Sequence, residues 1–141
     1  MSKIQQLSIF LENRPGQLTD ITTLLSQNQL SIKSINLIDS SDYGILRVIV
    51  DDSQKAKEIL DDAGISLKIV EVFAVEIDNH LGSFNEVASL LSTHGINIQY
   101  TYTINTTQNG AFIFKVEPTL LDKTIELLKQ NGIKILEDIR S

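Results

Sequence analysis

The sequence lacks cysteine altogether and holds only two histidines, His80 and His94. Without cysteine the chain forms neither disulfide bonds nor thiolate metal sites, and a metal cage built on two histidines would need additional carboxylate ligands. We therefore expect no metal ion and no cofactor. The absence of cysteine also agrees with a cytoplasmic protein, since disulfides persist mainly in oxidising compartments.

Long apolar runs are missing as well. No stretch of 18 apolar residues occurs, and the segment Met1–Gln6 lacks the apolar core of a signal peptide. These two absences predict a soluble protein that stays in the cytoplasm and has no membrane partner.

Positive charge is scarce. The 12 Lys and Arg residues are outnumbered by 18 Asp and Glu residues, which gives a formal charge of −6. Such a charge repels phosphate backbones, and no cluster of Lys or Arg stands out against it. The stacking aromatic residues of an RNA-binding sheet are missing too. We therefore expect no nucleic acid partner.

Groupings of catalytic residues are also absent. Catalysis would need a nucleophile with a base, a pair of carboxylates in a cleft or a metal cage. The acidic residues are instead scattered over predicted helix faces and turns, where they act as solvated charges. The sequence thus predicts that the protein is not an enzyme.

The sequence does contain an internal duplication. The segment Glu12–Leu18 recurs in altered form as Asp78–Phe84, and Gly82 follows Gly16 by 82 − 16 = 66 positions. At the same offset other apolar residues coincide, namely Leu24 with Leu90, Leu25 with Leu91 and Ile32 with Ile98. The duplication predicts two domains, residues 1–70 and residues 71–141, each near the lower size limit for folding alone.

In the first half, alternating apolar residues predict strands, and apolar residues spaced three and four apart predict helices. The run Leu67–Ile77 is too long for an ordinary strand, so we divide it into the last strand of the first half and the first strand of the second half. The other elements are a strand Ile4–Leu11, a helix Gln17–Asn28, a hairpin of the strands Ile32–Ile38 and Tyr43–Val50, and a helix Ser53–Ala63.

The second half follows the same plan, so that each half has the order β-α-β-β-α-β. We predict an α+β fold of two ferredoxin-like βαββαβ repeats whose antiparallel sheets lie side by side with the helices on one face. The pattern leaves open which side of the strand near Asn97–Ile104 faces the core. The remaining elements are a helix Ser83–His94, a strand Ala111–Val116, a helix Thr119–Asn131 and a strand Lys134–Ile139.

The sheet faces opposite the helices carry apolar residues. The alternation predicts that Ile45, Ile49 and Ile113 lie uncovered there. Because an exposed apolar sheet face usually marks an interface, we expect a homodimer.

The segment Asn13-Arg14-Pro15-Gly16-Gln17-Leu18, at the first strand-to-helix junction, resembles the ACT domain, a small amino-acid-sensing module attached to many metabolic enzymes. The second copy, Asn79-His80-Leu81-Gly82-Ser83-Phe84, keeps the asparagine and the glycine but has Leu81 where proline is usual. The Gly-x-Asn-Ile motif of the family is matched by Gly95–Ile98, whereas Ser31 replaces its asparagine in the first half. The resemblance covers nearly the whole chain.

The resemblance implies a regulatory protein that senses a free amino acid where the first loop of one ACT domain meets another. Backbone N–H groups at the start of a helix suit the carboxylate of such a ligand, and side-chain amides suit its ammonium group. The candidate ligand-binding residues are Asn13, Arg14, Pro15, Gly16, Gln17, Leu18, Asn79, Leu81, Gly82, Ser83, Phe84, Asn97 and Tyr100.

Two other interpretations stand beside amino-acid sensing. In one, the loop around Gly16 is only a tight turn, and Arg14 is a solvated surface charge. In the other, the protein is a ligand-free adaptor subunit that binds a metabolic enzyme, because the same fold serves many functions.

Overall fold

The computed structural model describes residues 2–12, 14–39, 43–76, 82–105 and 110–139. The chain divides into a first unit, Gln5–Val70, and a second unit, which joins Met1–Ile4 to Glu71–Ser141. None of the helices in this described part of the chain is long and apolar enough to cross a membrane.

The first unit is built on an antiparallel sheet in which apolar and polar residues alternate. Its strands lie in the order β2-β3-β1-β4, and the Phe10 N–H donates to the Ser66 carbonyl oxygen at 3.0 Å where β4 begins. The elements are β1 (Ile4–Glu12), α1 (Gln17–Gln27), β2 (Ile32–Asp39), β3 (Tyr43–Val50), α2 (Ser53–Asp62) and the first residues of β4 (Leu67–Glu76).

The second unit repeats this plan with the strand order β7-β4-β6-β5. Its first residues are held by an ion pair of 2.8 Å between Lys3 Nζ and Asp122 Oδ1, and this contact raises the pKa of Lys3. The elements after β4 are α3 (Ser83–Thr93), β5 (Tyr100–Asn105), β6 (Gly110–Lys115), a 3-10 turn (Pro118–Leu120), α4 (Leu121–Gln130) and β7 (Ile135–Leu136).

The predicted α+β fold of two ferredoxin-like βαββαβ repeats is confirmed by this element order. Three predicted boundaries are wrong. The strand predicted near Asn97–Ile104 begins only at Tyr100. The run after Leu67 is one uninterrupted strand, because no Gly, Pro or Asn breaks it before Glu76, and the last strand shrinks to Ile135–Leu136. The polar residues Glu137 and Asp138 follow that short strand and are exposed.

Each unit has its own hydrophobic core between the sheet and its two helices. In the first unit Ile21 and Leu25 of α1 are fully buried with residues of the sheet. In the second unit Val87 and Leu91 of α3 hold the corresponding places. At about 25 cal/mol per Å² of buried apolar area, these side chains supply the main driving force for folding.

The structure also decides which way the residues of β2 and β5 face. Ile35 and Leu37 lie directly opposite the core residues Val48 and Leu46 of β3, and so they share the face that carries the helices. Thr101 and Thr103 of β5 lie opposite Phe114 and Phe112 in the same way, so the two repeats use the same parity. The apolar residues Ile35 and Leu37 of β2 lie half exposed on this face, whereas the apolar Tyr100 and Tyr102 of β5 lie on the opposite face, so the apolar parity of the two strands differs.

The expectation of an uncovered sheet face is wrong for two of its three residues. Ile49 is 3% exposed and Ile113 is 0% exposed, whereas Ile45 is half-buried. Alternation shows which residues share a face, but it does not show whether that face is covered.

The first helix of each repeat ends with a residue in the left-handed backbone conformation, but the residue type differs between the repeats. After α1, Gln29 adopts φ 61° and the Leu30 N–H donates to the Leu25 carbonyl at 3.0 Å. After α3, Gly95 adopts φ 70° and the Ile96 N–H donates to the Leu91 carbonyl at 2.9 Å. Glycine is the usual residue at this left-handed position, because it has no β-carbon.

We predict that Gln29→Gly stabilises the protein by about 1 kcal/mol, because a side chain in the left-handed region costs about that much. The reverse change, Gly95→Gln, should cost a similar amount. Urea unfolding of both variants and the parent measures the two effects. A Gln29→Gly variant that is no more stable than the parent would show that Gln29 is not strained.

Candidate functional site

The loop between β1 and α1 ends in a glycine with a left-handed backbone. Gly16 has φ 87° and caps α1, and Gly82 has φ 88° and caps α3 in the same way. The two helices they precede, Gln17–Gln27 and Ser83–Thr93, coincide after the offset of 66 residues. A Cβ at Gly16 would meet no described atom within 4 Å, so glycine is required here for its backbone conformation and not for space.

Hydrogen bonds from within the loop hold its shape. The side-chain oxygen of Gln17 accepts from the Glu12 N–H at 2.5 Å, and the Arg14 N–H donates to the Glu12 carbonyl at 2.8 Å. The Asp20 N–H donates to the Gly16 carbonyl at 2.9 Å as the helix starts. Gln17 therefore braces the loop with its side chain, whereas the sequence analysis assigned its backbone N–H to a ligand.

The charged residues of the loop are grouped around Arg14. Its Nε lies 3.5 Å from Glu12 Oε2, and one of its terminal nitrogens lies 3.7 Å from Asp20 Oδ2. The three side chains are 52% to 80% exposed, so these ion pairs are well hydrated and weak. They keep one positive and two negative groups beside the start of α1.

A cleft of about 300 Å³ lies against this loop. One wall is the start of α1, and the floor comes from neighbouring strands at the end of the sheet. Its lining residues are Leu11, Glu12, Arg14, Gly16, Gln17, Leu18, Leu37 and Gly44. The cleft thus combines apolar side chains, an acidic and a basic group, and the first turn of a helix. Its volume is at the lower end of the range for small-molecule sites.

Because Gly44 has no side chain, the space above it stays open at the floor of this cleft. It lies opposite Leu11 in the pairing of β1 with β3, and opposite Asp39 in the pairing of β3 with β2. A Cβ at Gly44 would lie 3.3 Å from the Ile38 carbonyl oxygen and 3.5 Å from Leu37 Cδ1. Any larger residue at this position would press against these atoms and take up space at the floor of the cleft.

A second, more open groove of about 330 Å³ runs along α1. Arg14 and Gln17 line it as well, together with Asp20 and Thr23 of the helix and Ile65 beyond α2. Its lining includes neither Gly16 nor Gly44, and for that reason we assign the candidate site to the first cleft.

In the second unit aromatic rings are found at positions that are leucines in the first unit. The ring of Phe84 lies edge-on to Phe112 at a centroid distance of 5.0 Å, and stacks on Phe114 at 5.6 Å. The equivalent residues of the first unit are the smaller Leu18 and Leu46. Phe84 is therefore part of the aromatic packing of the second unit, while Leu18 forms a wall of the cleft.

Asn97 and Tyr100 lie away from the Gly82 loop. Asn97 follows the far end of α3, which at 1.5 Å per residue is about 16 Å long, and it lines a separate open cleft of about 390 Å³ with Ser92 and Gly95. Tyr100 is half-buried in β5, where its ring stacks on Tyr102 at 6.4 Å. The structure does not bring these two residues to the loop with which the sequence grouped them.

The other candidates of the second loop are only partly placed. Ser83 is the first residue of α3 and is half-buried. Asn13, Asn79 and Leu81 lie outside the described residues. In the first loop Pro15 is exposed beside Arg14 and Gly16.

Four cleft residues were missed by the sequence analysis: Leu11, Glu12, Leu37 and Gly44. The sequence did contain one signal that pointed to Gly44. Gly44 recurs as Gly110 at the same offset, and a glycine inside a predicted strand often marks a close approach of another group. Leu37 belongs to the cleft only through strand pairing, which a sequence motif does not report.

The whole chain matches known proteins over nearly its full length. A family model described as an ACT domain pair matches residues 2–140. The crystal structure of protein BT0572 from Bacteroides thetaiotaomicron is similar at a TM-score of 0.87 and 32% sequence identity, over 96% of this chain and 92% of that chain. A comparison with curated proteins gave no match.

Two more distant structures share the fold. The regulatory subunit of aspartate kinase from Thermus thermophilus, in a ligand-free form, matches at a TM-score of 0.61 and 15% identity, over 89% of this chain and 91% of that chain. The corresponding subunit from Thermus flavus matches at 0.62 and 12% identity, over 94% of each chain. The resemblance of the sequence to the ACT domain is thus confirmed, and the chain belongs to the family of ACT domain pairs.

Proposed function

We propose that this protein is a regulatory protein without enzymatic activity that binds a free amino acid in the cleft of its first unit. The observation that carries the proposal is the position of that cleft. It places the start of α1 at Gly16, the carboxylate of Glu12 and an apolar floor around one space of about 300 Å³.

The three parts of the cleft suit the three parts of an amino acid. The N–H groups in the first turn of α1 suit the ligand carboxylate, because they have no partner within the helix and carry its positive dipole end. The Glu12 carboxylate suits the ammonium group. Leu11, Leu18 and Leu37 suit an aliphatic side chain, and the space above Gly44 limits its size. We therefore propose a ligand with a small aliphatic side chain.

The first unit is a better site than the second for a steric reason. The ring of Phe84, 5.0 Å from that of Phe112, takes the position of Leu18, which borders the cleft in the first unit. A ligand beside Gly82 would have to displace this packing. We propose one site per chain, at the Gly16 loop.

We also propose domain boundaries, a cellular location, an oligomeric state and a protein partner. We take residues 1–70 and 71–141 as the two ACT domains, the cytoplasm as the location and the homodimer as the working form. Support for self-association comes from the described residues of the first unit, which include exposed Phe10, Ile35 and Leu37. A metabolic enzyme is a further partner that the regulatory role would require.

A thermal-shift screen of the purified protein against free amino acids tests the proposal. A ligand present at about 100 times its dissociation constant adds about 2.7 kcal/mol to the free energy of unfolding. We expect a shift with small aliphatic amino acids. If no amino acid raises the melting temperature, sensing fails and the adaptor subunit takes its place.

The left-handed backbone of Gly16 gives a first prediction for binding. Gly16→Val should reduce binding by about tenfold or more, because a β-branched residue is strained at positive φ and moves the first turn of α1. Gly16→Asn is the matched control, since Asn tolerates this conformation. Calorimetric titration of both variants compares them. Parent-like binding by Gly16→Val would mean that the loop is a turn only.

The floor of the cleft gives a second prediction. Gly44→Ala should weaken binding by about tenfold, because the added methyl group enters the space that the ligand side chain occupies. Gly110→Ala makes the equivalent change in the second unit and should leave the affinity unchanged. Calorimetry measures both affinities, and equal losses in the two variants would argue against a site at Gly44.

Glu12, the proposed partner of the ligand ammonium group, gives a third prediction. Glu12→Gln should cost about 1.5 to 3 kcal/mol of binding free energy, the usual value for a hydrogen bond to a charged group. Asp20→Asn, which changes the other acidic partner of Arg14, should cost much less. The same titration distinguishes them, and an unchanged affinity for Glu12→Gln would remove Glu12 from the site.

A further inference from the structure

The cleft of the first unit contains an ion pair between two of its lining residues, Arg14 and Glu12. Arg14 Nε lies 3.5 Å from Glu12 Oε2. A zwitterion needs one cationic and one anionic partner, and this pair supplies both groups next to each other. With no ligand between them, the two side chains neutralise each other.

This ion pair is loose. Its distance of 3.5 Å exceeds the value of about 2.7 to 2.9 Å that is usual for a hydrogen bond between two charged groups. The side chain of Arg14 is 52% exposed and that of Glu12 is 80% exposed, and pairs in such hydrated positions contribute little to stability. Separating the two side chains therefore costs the protein little.

An α-amino acid placed between the two side chains replaces this pair with two others. Its carboxylate meets the Arg14 guanidinium, whose N–H donors suit a carboxylate, and its ammonium group meets the Glu12 carboxylate. The ligand carboxylate also reaches the N–H groups in the first turn of α1, which have no partner within the helix. The charges then alternate in sign along the cleft.

Asp20 keeps the guanidinium beside the start of α1. It lies in the first turn of this helix, and its Oδ2 is 3.7 Å from a terminal nitrogen of Arg14. Because this contact does not involve Glu12, Arg14 retains it when its Nε moves away from Glu12. The guanidinium therefore stays near the N–H groups that the ligand carboxylate approaches.

A molecule that carries only one of the two charges gains less from the cleft. An amine separates the pair and leaves Arg14 without Glu12, whereas a carboxylic acid leaves Glu12 without Arg14. Each of these ligands breaks one ion pair and forms one, so the number of paired charges does not rise. The Arg14–Glu12 pair therefore favours ligands that carry both charges.

The second loop has no arginine at the equivalent position. His80 follows Arg14 by 80 − 14 = 66 positions, and Asp78 stands in the same way for Glu12. Both residues of the second loop lie outside the described residues, so only their chemistry is compared. Histidine is largely neutral at pH 7, whereas arginine is always charged. A permanent pair of opposite charges is thus encoded in the first loop, which agrees with one site per chain.

We infer that Arg14 selects zwitterionic α-amino acids, because the ligand inserts between Arg14 and Glu12 and replaces their ion pair with two of its own. This inference rests on the proposed function, and it names the residue that recognises the ligand carboxylate together with the chemical class that the cleft rejects. Arg14 is then a specificity-determining residue of the cleft and not a solvated surface charge.

Ligand analogues test the selection. Alanine, valine and leucine are each compared with the amine that lacks the carboxylate and with the acid that lacks the ammonium group. In calorimetric titrations the parent should bind at least one amino acid about tenfold or more tightly than either of its analogues. An analogue that binds as tightly as its amino acid would overturn the inference. If the parent binds none of the three amino acids, the proposed function and the inference fail together.

The role of Arg14 is tested by a change of opposite sign for two ligands. Arg14→Gln should weaken binding of the amino acid by about tenfold, because the carboxylate loses its partner. The same variant should bind the amine analogue about two- to fivefold more tightly, because Glu12 is no longer neutralised. A variant that has only lost the shape of the loop would bind both ligands more weakly, and this result would overturn the inference.

The converse holds for Glu12. Glu12→Gln should weaken binding of the amino acid and should bind the acid analogue about two- to fivefold more tightly than the parent does, because Arg14 has lost its partner. An acid analogue that binds this variant no better than the parent would show that the two side chains do not compete with the ligand.

Two further variants separate local from overall charge. Lys57→Gln removes one positive charge from an ion pair of 2.6 Å with Asp61 on α2, outside the lining of the cleft, and should leave all affinities unchanged. Arg14→Lys keeps the charge and should recover part of the amino-acid affinity that Arg14→Gln loses. If Arg14→Gln binds the amino acid as tightly as the parent, the inference is wrong and the sensing function remains intact.

Discussion

The antiparallel register between β1 and β3 determines most of what the first unit can do. It sets Leu7 opposite Val48 and Ile9 opposite Leu46, and all four side chains reach the helix-bearing face and are fully buried. One pair further on, the same register sets Leu11 opposite Gly44, where the core ends and the cleft begins. A shift of one residue would turn all these side chains to the other face. The cleft is therefore a continuation of the core pattern, with a glycine where the pattern would place an apolar side chain.

The two repeats have the same backbone geometry at their first helix and differ in which side chains are exposed and which are packed. The helix-capping glycines agree within one degree of φ, and the first helices coincide after the offset. The first unit exposes Leu18 and Leu37, whereas the second unit packs Phe84 into an aromatic group and exposes threonines on its edge strand. Among the described residues, the two copies thus differ in the side chains beside the first helix and on the edge strand, and not in the backbone that carries them.

The sequence predicted the fold well, because the offset of 66 residues allowed each half to check the other. Helix periods, turn residues and the glycine at the strand-to-helix junction are local features, and the structure has them where the sequence placed them. The predictions that failed concern features that depend on contacts between residues far apart in the sequence. The burial of Ile49, the continuity of the strand after Leu67 and the role of Gly44 are set by pairing and covering, which hydrophobic alternation does not encode.

The candidate site was predicted in part for the same reason. Gly16 and its helix start were found from a motif, and Leu37 was missed because it reaches the cleft from another strand. Asn97 was grouped with the loops through its side-chain chemistry, although α3 separates it from Gly82. Residue type indicated what could bind a zwitterion, but only the pairing of strands indicated which residues meet.

Gly44 has a consequence for motion as well as for space. A glycine inside a strand weakens it, because it loses more backbone entropy on folding and contributes no side-chain packing. Gly44 pairs with Leu11 on one side and with Asp39 on the other, so local opening there loosens the end of β1 and the end of the edge strand β2 together. A molecule packed above Gly44 would slow the exchange of backbone amide hydrogens in all three strands, and it would thereby link the occupancy of the cleft to the rigidity of the sheet edge.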